Sequence, residues 1–438
     1  MRTYIDNLIQ QGEMRIVERE VDGRFELAAV TARAQRESDR PILFRRVKGS
    51  RYPVVTNIYG SRPRLCRMIG AQDGAFCRRW TELMRGPGAA LAPAGAAGNG
   101  VDYESVKLSD LPQITYFEKD GGAYITAGVF LANDPDTGVP NLSFHRSQVI
   151  ADDELRIRLG TSHDLKRYQD KAEAKNRPLE AAILLGPPPE FVLAAAAPIP
   201  TDQSELEVAA RLSGAPIAMR PCRRIALDVP AETEIVIEGR ILLNVRRPEG
   251  PFGEFMGFYV PVGDNHVFEV LEVTCRRDAY YHGLICGSPE DMRLLELAVA
   301  TRVYQQLSGT LPGIVDVSCV PTVMSTVVKI RQMYEGHARQ VLISAFGAHH
   351  DWSKSCIVVD EDVDINDFND VYWAFLTRAR ADQRVMILPG VPGFYRDPHR
   401  DYWGRLGIDA TVPFGRKDEF LRKTIPGQDA IDLKDYFA

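Results

Sequence analysis

The stretch Glu234-Ile235-Val236-Ile237-Glu238-Gly239-Arg240-Ile241-Leu242-Leu243, followed by Pro248-Glu249-Gly250-Pro251-Phe252-Gly253-Glu254, decides how this chain is read. Its first part is rich in β-branched and aliphatic residues and predicts a strand. Its second part sets two carboxylates five residues apart, separated by two glycines and a proline. A rigid turn can hold both side chains facing one cavity, which is an acid/base device. On spacing alone the segment also reads as a hairpin turn with two solvated glutamates, because turns favour Gly and Pro for backbone reasons.

Working outward, the 438-residue chain exceeds one typical core and points to two or three domains. A net charge of −6 with intermixed signs leaves no basic footprint, which argues against nucleic acid and anionic membrane surfaces as partners. No apolar run is long enough to span a bilayer. The first nine residues are broken by polar groups and lack the apolar core of a secretory signal. They predict a capped helix, with Thr3 and Asp6 at capping-box spacing. Cys66, Cys77, Cys222, Cys275, Cys286, Cys319 and Cys356 are scattered and form no C-x-x-C pair. That disfavours a disulfide scaffold or zinc ribbon and implies reduced thiols in the cytoplasm.

Three textures follow one another. Residues 1–110 alternate strand and helix signals: a strand over 13–18, a helix over 24–35, then strands at 42–44 and 54–55, an α/β pattern. They end in a low-complexity linker, 86–100. Residues 111–288 carry long β runs, at 123–132, 143–150, 155–159, 181–185, 218–222, 234–245, 255–260 and 267–275. Helices are expected at 164–175, 189–197 and 204–212, and a chain reversal at Asp134-Pro135-Asp136-Thr137-Gly138. The pattern implies a predominantly antiparallel sheet or barrel. Residues 289–415 alternate helices and strands as a separate α/β domain. The tail, 416–438, is too polar for its own core and is expected to pack elsewhere, on another subunit for example.

Individual residues say less. If Asn141-Leu142-Ser143-Phe144-His145-Arg146 is one uninterrupted strand, residues 141, 143 and 145 share a face and 142, 144 and 146 share the other. Arg146 alone reads equally as a surface arginine, and His163, opening a helix, as a structural hydrogen bonder. Glu205 at a helix start is explained by the helix dipole. Together, Asn141, His163 and Glu205 supply an amide oxygen, an imidazole and a carboxylate, a set that suits Mn²⁺ or Mg²⁺ bridging to a phosphate.

Their order carries a resemblance. Asn141-x-x-x-x-Arg146, Ser162-His163, Pro198-x-Pro200 with Ser204-Glu205, the segment Pro248 to Glu254, Lys354 with the acidic run Asp360 to Asp364, and Ile408-Asp409-Ala410-Thr411 resemble the UbiD family of reversible decarboxylases. The resemblance spans about residues 111–411. It implies a mixed α/β fold with a central split β-barrel like that of flavin reductases. The implied cofactor is prenylated FMN, anchored through its phosphate by a divalent metal, Mn²⁺ or Mg²⁺, often with K⁺. It assigns Asn141, His163 and Glu205 to the metal. It places Ser143, Phe144, Arg146, Ser162, Lys354 and the backbone of Ala195, Ala196, Ala197 and Pro198 at the cofactor. The alanines replace the Ser or Thr of other members.

The resemblance also implies roles. Loss of CO₂ from an sp² carbon needs an electron sink that side chains cannot provide. Arg146 would orient the substrate carboxylate through its planar fork. Glu249 would hold Arg146, and Glu254 would be the proton donor, its carboxyl raised by burial and by Glu249. Leu159, Met292, Arg293 and Leu297 are candidates for the substrate pocket, with Arg293 able to read a second carboxylate if it points inward. The expected substrate is an α,β-unsaturated, aromatic or heteroaromatic acid exchanging CO₂. The expected assembly is a homodimer or homohexamer, its cofactor made by a separate flavin prenyltransferase. Two other readings stay open: an FMN-binding redox or carrier protein, for which both glutamates would be dispensable, and a noncatalytic subunit. The run Asp360 to Asn366 resembles a calcium loop but lacks its glycine and final glutamate, and is expected to cap the helix from Asp367. His349-His350 lacks a further ligand at useful spacing.

Overall fold

Residues 1–72, 75–93, 102–160, 163–348, 352–391, 393, 404–432 and 435–436 are described by the computed structural model. They form two compact units, residues 1–305 and 306–438.

The first unit opens with α1 (Arg2–Gln10), which buries Ile5 and Leu8. Its N-cap is Met1 with no side-chain cap, so the expected capping box does not form and Thr3 lies inside the helix. Then come β1 (Arg15–Val17), α2 (Glu26–Gln35), β2 (Ile42–Phe44) and β3 (Val54–Thr56), as the alternation predicts. Two further helices, α3 (Arg62–Ile69) and α4 (Phe76–Arg85), were not expected. Polar sequence hid α3, because two of its arginines point inward. Arg62 pairs with Glu296 at 2.7 Å, and Arg64 donates to the carbonyls of Asn57, Ile58 and Asp39. Part of the expected linker is ordered as β4 (Leu91–Pro93), parallel to residues 217–219. Residues 94–100 lie outside the described residues.

Next in the chain are β5 (Tyr103–Ser105), β6 (Tyr124–Ile125), β7 (Val129–Asn133), β8 (Pro140–Phe144), β9 (Ser147–Ala151) and β10 (Glu154–Ile157). They are followed by α5 (Asp164–Ala174), β11 (Leu179–Leu185), α6 (Pro189–Ala194), α7 (Glu205–Ser213), β12 (Ile217–Pro221) and β13 (Asp228–Pro230). The long strands β14 (Ile235–Glu249) and β17 (Gly263–Arg276) flank a small hairpin, β15 (Phe252–Gly253) with β16 (Tyr259–Val260). The unit's remaining elements are β18 (Tyr281–His282) and the start of α8 (Pro289–Ser308).

The main sheet is antiparallel, in the order β6-β9-β10-β17-β14-β11-β7-β8, with β5 added to β17. Among the described residues its end strands, β6 and β8, do not pair with each other, so the ladder is not a closed barrel. Three expected strands are corrected. Residues 123–132 divide into β6 and β7, residues 143–150 break at 145–146, between β8 and β9, and residues 255–260 are mostly the turn of the β15–β16 hairpin. The last two departures matter below, because Arg146 and Glu254 occupy the irregular positions.

The first five residues of β14 are buried on both faces, which explains the apolar run Ile235 to Ile237, and the buried Glu238 is satisfied by the Arg223 and Arg224 amides. They join a core in which Phe130 meets Phe268 edge-on at 5.9 Å. The pairing of β14 with β17 shifts register between Glu238 and Gly239. A Cβ at 239 would overlap the Glu269 carbonyl and the Phe268 ring, so only glycine admits that close approach.

The second unit is a five-stranded sheet in the order β19 (Ile314–Cys319), β20 (Ser325–Ile330), β21 (Ser355–Asp360), β23 (Gly404–Asp409), β22 (Val385–Pro389). Helices α9 (His337–Phe346), α10 (Phe368–Arg378) and the short α11 (Ala381–Arg384) alternate with its strands. The acidic run 360–366 precedes α10 as expected, but the cap is Asp367, one residue beyond it, which accepts from the Asn369 amide, and the helix begins at Phe368. His349 and His350 lie outside the described residues. No described helix is long and apolar enough to cross a membrane.

Gly239→Ala is expected to destabilise the first unit by about 1–3 kcal/mol through overpacking at the β14–β17 bulge. Thermal unfolding checks this; an unchanged midpoint would show that the bulge yields.

Candidate active site

β14 carries its last residue, Glu249, opposite Gly263 of β17. The chain then turns through Gly250, whose φ of 101° suits glycine. Three contacts fix the turn: the Gly250 amide donates to Gln148 Oε1 at 3.0 Å, Gly121 N donates to the Pro251 carbonyl at 2.8 Å, and Gly253 N donates to Asp120 Oδ1 at 2.8 Å. Glu254 follows at the hairpin turn, its amide bonded to the Phe258 carbonyl at 2.9 Å. Thus Glu249 ends a strand and Glu254 sits in a turn, which is how five residues of separation let both side chains reach one point.

That point is Arg146, in the break between β8 and β9. Its Nε and Nη2 each donate to Glu249 at 2.9 Å, a bidentate pair, and its Nη1 donates to Glu254 Oε2 at 2.8 Å. Glu249 is 1% exposed and also accepts from Tyr124 Oη at 2.9 Å and Asn265 Nδ2 at 2.8 Å. Burial opposes the charge on Arg146, but the hydrogen bonds and charge of Glu249, with the charge of Glu254, outweigh it and hold its pKa above the ordinary arginine value. Burial, then the charge of Glu249, pushes the Tyr124 hydroxyl well up, so it stays a donor. The guanidinium lies 4.5 Å over the Phe252 ring. Of its five N–H groups, three are engaged by these carboxylates, which leaves two without a partner among the described residues. The hairpin reading with two solvated glutamates is therefore not what the structure adopts.

A second cluster lies along β8. Asn141 Nδ2 donates to Glu205 Oε1 at 3.2 Å, and the Leu142 amide to Glu205 Oε2 at 2.9 Å. Ser143 Oγ bonds to Asn141 Oδ1 at 2.8 Å and to His145 Nε2 at 2.9 Å. The His145 ring lies 5.2 Å from that of His163, the exposed N-cap residue of α5. Glu205 is 5% exposed and has no ion pair among the described residues; burial pushes its carboxyl up to about 7. A buried carboxylate that lacks a cation fits a metal ligand, and the Asn141 amide bonds it while the His145 imidazole joins the cluster through Ser143. Among the described residues no group of three or more His, Cys, Asp or Glu is arranged to hold a metal.

The other candidates are placed as follows. Ala195, Ala196 and Ala197 continue the end of α6, their amides engaged by the carbonyls of Phe191, Leu193 and Ala194. With Pro198 they offer a ligand carbonyl oxygens and apolar surface, not amide donors. Phe144 ends β8 opposite Val129. Leu159 is buried in the main core, and Leu297 is buried on α8, where Met292 also lies. Arg293 Nη1 pairs with Glu296 at 2.5 Å. Lys354 precedes β21 in the second unit. Ser162 lies outside the described residues. The sequence had not signalled Tyr124, Asn265, Gln148 or Asp120, which support the site from other strands and loops and which no local motif marks, whereas His145 joins Ser143 on the face expected for it.

Over 430 residues the chain is 33% identical to anhydromevalonate phosphate decarboxylase of Methanothermobacter thermautotrophicus, covering 96% of this chain and 99% of that protein. The chain belongs to the UbiD family. Three UbiD models match in sequence: the N-terminal domain of 3-octaprenyl-4-hydroxybenzoate carboxy-lyase at residues 5–84, its Rift-related domain at 93–289 and its C-terminal domain at 293–410. Among solved structures, the UbiD-class enzyme HmfF from Pelotomaculum thermopropionicum in complex with FMN superposes with a TM-score of 0.92 at 35% identity, covering 100% of this chain and 99% of that one. An evolved dimeric form of HmfF in complex with prFMN gives 0.88 at 34% identity, with the same coverage. The UbiD relatives named here are decarboxylases or UbiD-class enzymes, and this chain matches them over nearly its whole length.

Glu249→Ala would leave Arg146 buried with one carboxylate instead of two. The expected loss is about 3–5 kcal/mol of stability, read from chemical or thermal unfolding. A loss near zero would show that Arg146 is solvated.

Proposed function

We propose that this UbiD-family enzyme reversibly decarboxylates an α,β-unsaturated, aromatic or heteroaromatic acid with prenylated FMN, and that Arg146, Glu249 and Glu254 carry the step. One observation supports this most: the Arg146 fork is held by two carboxylates in a largely buried site and still has N–H groups to offer. The prFMN-bound relative supports the cofactor. When bound, that flavin supplies the electron sink for the carbon that loses CO₂.

The residues of this chain do the rest. The two remaining N–H groups of Arg146 receive the substrate carboxylate and fix its direction. Glu249, bonded on both oxygens, prevents the fork from turning. Charge balance then assigns the proton. With both glutamates ionised the trio carries a net charge of −1, and an arriving carboxylate would make it about −2. A proton on Glu254 brings the total back to about −1 and stands ready to replace CO₂ on the product carbon.

Asn141, His163 and Glu205 would hold Mn²⁺ or Mg²⁺ against the cofactor phosphate, with Lys354 also serving that phosphate and K⁺ as a further ion. The main sheet would correspond to the split barrel of flavin reductases. Residues 1–110, 111–288 and 289–415 would be the three domains, with 416–438 a tail packing on a partner subunit, a division that the spans of the three family models support. The assembly would be a homodimer or homohexamer, supplied with cofactor by a flavin prenyltransferase.

Reconstitution with prenylated FMN and a panel of aromatic, furan, pyrrole and acrylic acids tests the activity. Wild type is expected to release CO₂ from at least one, and Glu254→Gln to lose roughly 10²–10⁴-fold in kcat while keeping the cofactor. A cofactor-loaded Glu254→Gln enzyme with full activity would refute the assignment. Calorimetry of flavin-free protein tests the metal: Glu205→Gln should weaken Mn²⁺ binding about tenfold or more, whereas equal affinity would place the metal elsewhere.

A further inference from the structure

Glu254 faces a problem that the proposed reaction does not solve. The proposed step needs it to begin every turnover protonated, while Arg146 Nη1 already donates to its Oε2. A proton has to reach it from a group close by.

A third carboxyl is anchored to the loop packed beside the Glu254 turn. Asp291 occupies the first turn of α8, and its Oδ2 accepts the Gly287 amide at 2.7 Å. Gly287 is packed against the chain just beyond Glu254: a Cβ at 287 would stand 3.2 Å from Phe255 Cα and 3.3 Å from the Phe255 carbonyl oxygen. Asp291 is therefore fixed to the loop that abuts the catalytic turn. Protein surrounds it, but it retains some accessible surface, the position of a group that exchanges protons with water.

We propose that Asp291 returns a proton to Glu254 after each turnover. This rests on the reading of Glu254 as the donor. CO₂ leaves with its C–C electron pair left on carbon, and the Glu254 O–H bond breaks as its proton passes to that carbon. The Asp291 O–H bond then breaks as its proton passes, directly or through one water, to the Glu254 carboxylate. Asp291 takes its replacement from solvent. Since it acts through Glu254, it is a positioning residue for the proton and not a group that touches substrate.

The surroundings suit this duty. Burial, and then the charges of Glu254 and Glu290, push the Asp291 carboxyl up to about 6, while the Gly287 amide and the Cys286 thiol pull the other way. Cys286 is no rival carrier, because burial and the charges of Asp291 and Glu254 push its thiol well up. Glu290 is no rival either: its oxygens accept the Asn57 and Tyr59 amides at 2.6 and 3.0 Å, and it pairs with His282 Nε2 at 3.0 Å. The remaining charge nearby, Arg146, is fixed by its two glutamates. The capping alternative, in which Asp291 only closes the turn at Gly287, is met equally by Asn and predicts no change in proton traffic.

The test compares wild type, Asp291→Asn, Asp291→Glu and Glu254→Gln, each loaded with prenylated FMN and assayed with an acid that wild type turns over. Asp291→Asn should lower kcat roughly 10–100-fold with KM unchanged, and added formate should rescue it in proportion to concentration. In wild type kcat should fall as pH rises through about 6, since only the protonated form donates; this dependence should vanish in Asp291→Asn and return in Asp291→Glu. In flavin-free wild type, a carboxylic-acid C=O stretch should titrate over the same range and be missing from Asp291→Asn. Unchanged kcat and pH profile in Asp291→Asn would overturn the relay. Full activity in Glu254→Gln would instead overturn the donor assignment beneath it. Should Asp291→Asn not fold, wild type decides: a first turnover faster than later ones, with D₂O slowing mainly the later ones, supports the relay, and equal rates with equal isotope effects overturn it.

Discussion

The bidentate ion pair between Arg146 and Glu249 is the contact on which the site depends. A guanidinium with 8% of its side chain exposed is costly to bury unless a carboxylate meets it in good geometry, and Glu249 does so with both oxygens. Glu249 is in turn fixed by Tyr124 and Asn265, so the fork cannot rotate without breaking its two bonds to an anchored carboxylate and its bond to Glu254. Everything proposed for Glu254 follows from that rigidity. A second carboxylate can approach the free edge of the fork only because the first holds the other edge.

The short segment 141–146 links this fork to the second cluster. Along β8 the pleat puts Asn141 and Ser143 on one face, and their hydrogen bonds continue to His145 and Glu205. The strand ends after Phe144, and the irregular step that follows sends Arg146 toward β14 instead. Asn141, Ser143 and His145 stay together while Arg146 faces away from them, the partition that alternation along the segment expects, so one segment serves both a candidate phosphate anchor and a carboxylate fork.

Much of this could be read from the sequence, for identifiable reasons. The long strands β14 and β17 announce themselves through stretches rich in β-branched and aliphatic residues, and α7 and α10 through the caps Ser204 and Asp367. The carboxylates of Glu249 and Glu254 were legible as a pair because Gly and Pro leave few turn geometries. The rest was not legible, because it depends on partners far away in the chain. Tyr124 lies 125 residues from the Glu249 it supports. Buried arginines disguised α3 as surface. Phe255 to Val260 alternates well enough for a strand, but the backbone bond from Glu254 N to the Phe258 carbonyl closes it into a turn. Asp291 was inside a segment singled out for its neighbours Met292 and Arg293, and nothing local distinguishes it from an ordinary first-turn acid.

The central claim is that a carboxylate ligand enters a site whose charge is balanced by a proton on Glu254. Infrared difference spectroscopy of the prenylated-FMN enzyme holding an unreactive carboxylate analogue, wild type against Glu254→Gln, measures this directly. The account predicts a carboxylic-acid C=O stretch in wild type that Glu254→Gln lacks. No such band in wild type, or the same band in both, would contradict it.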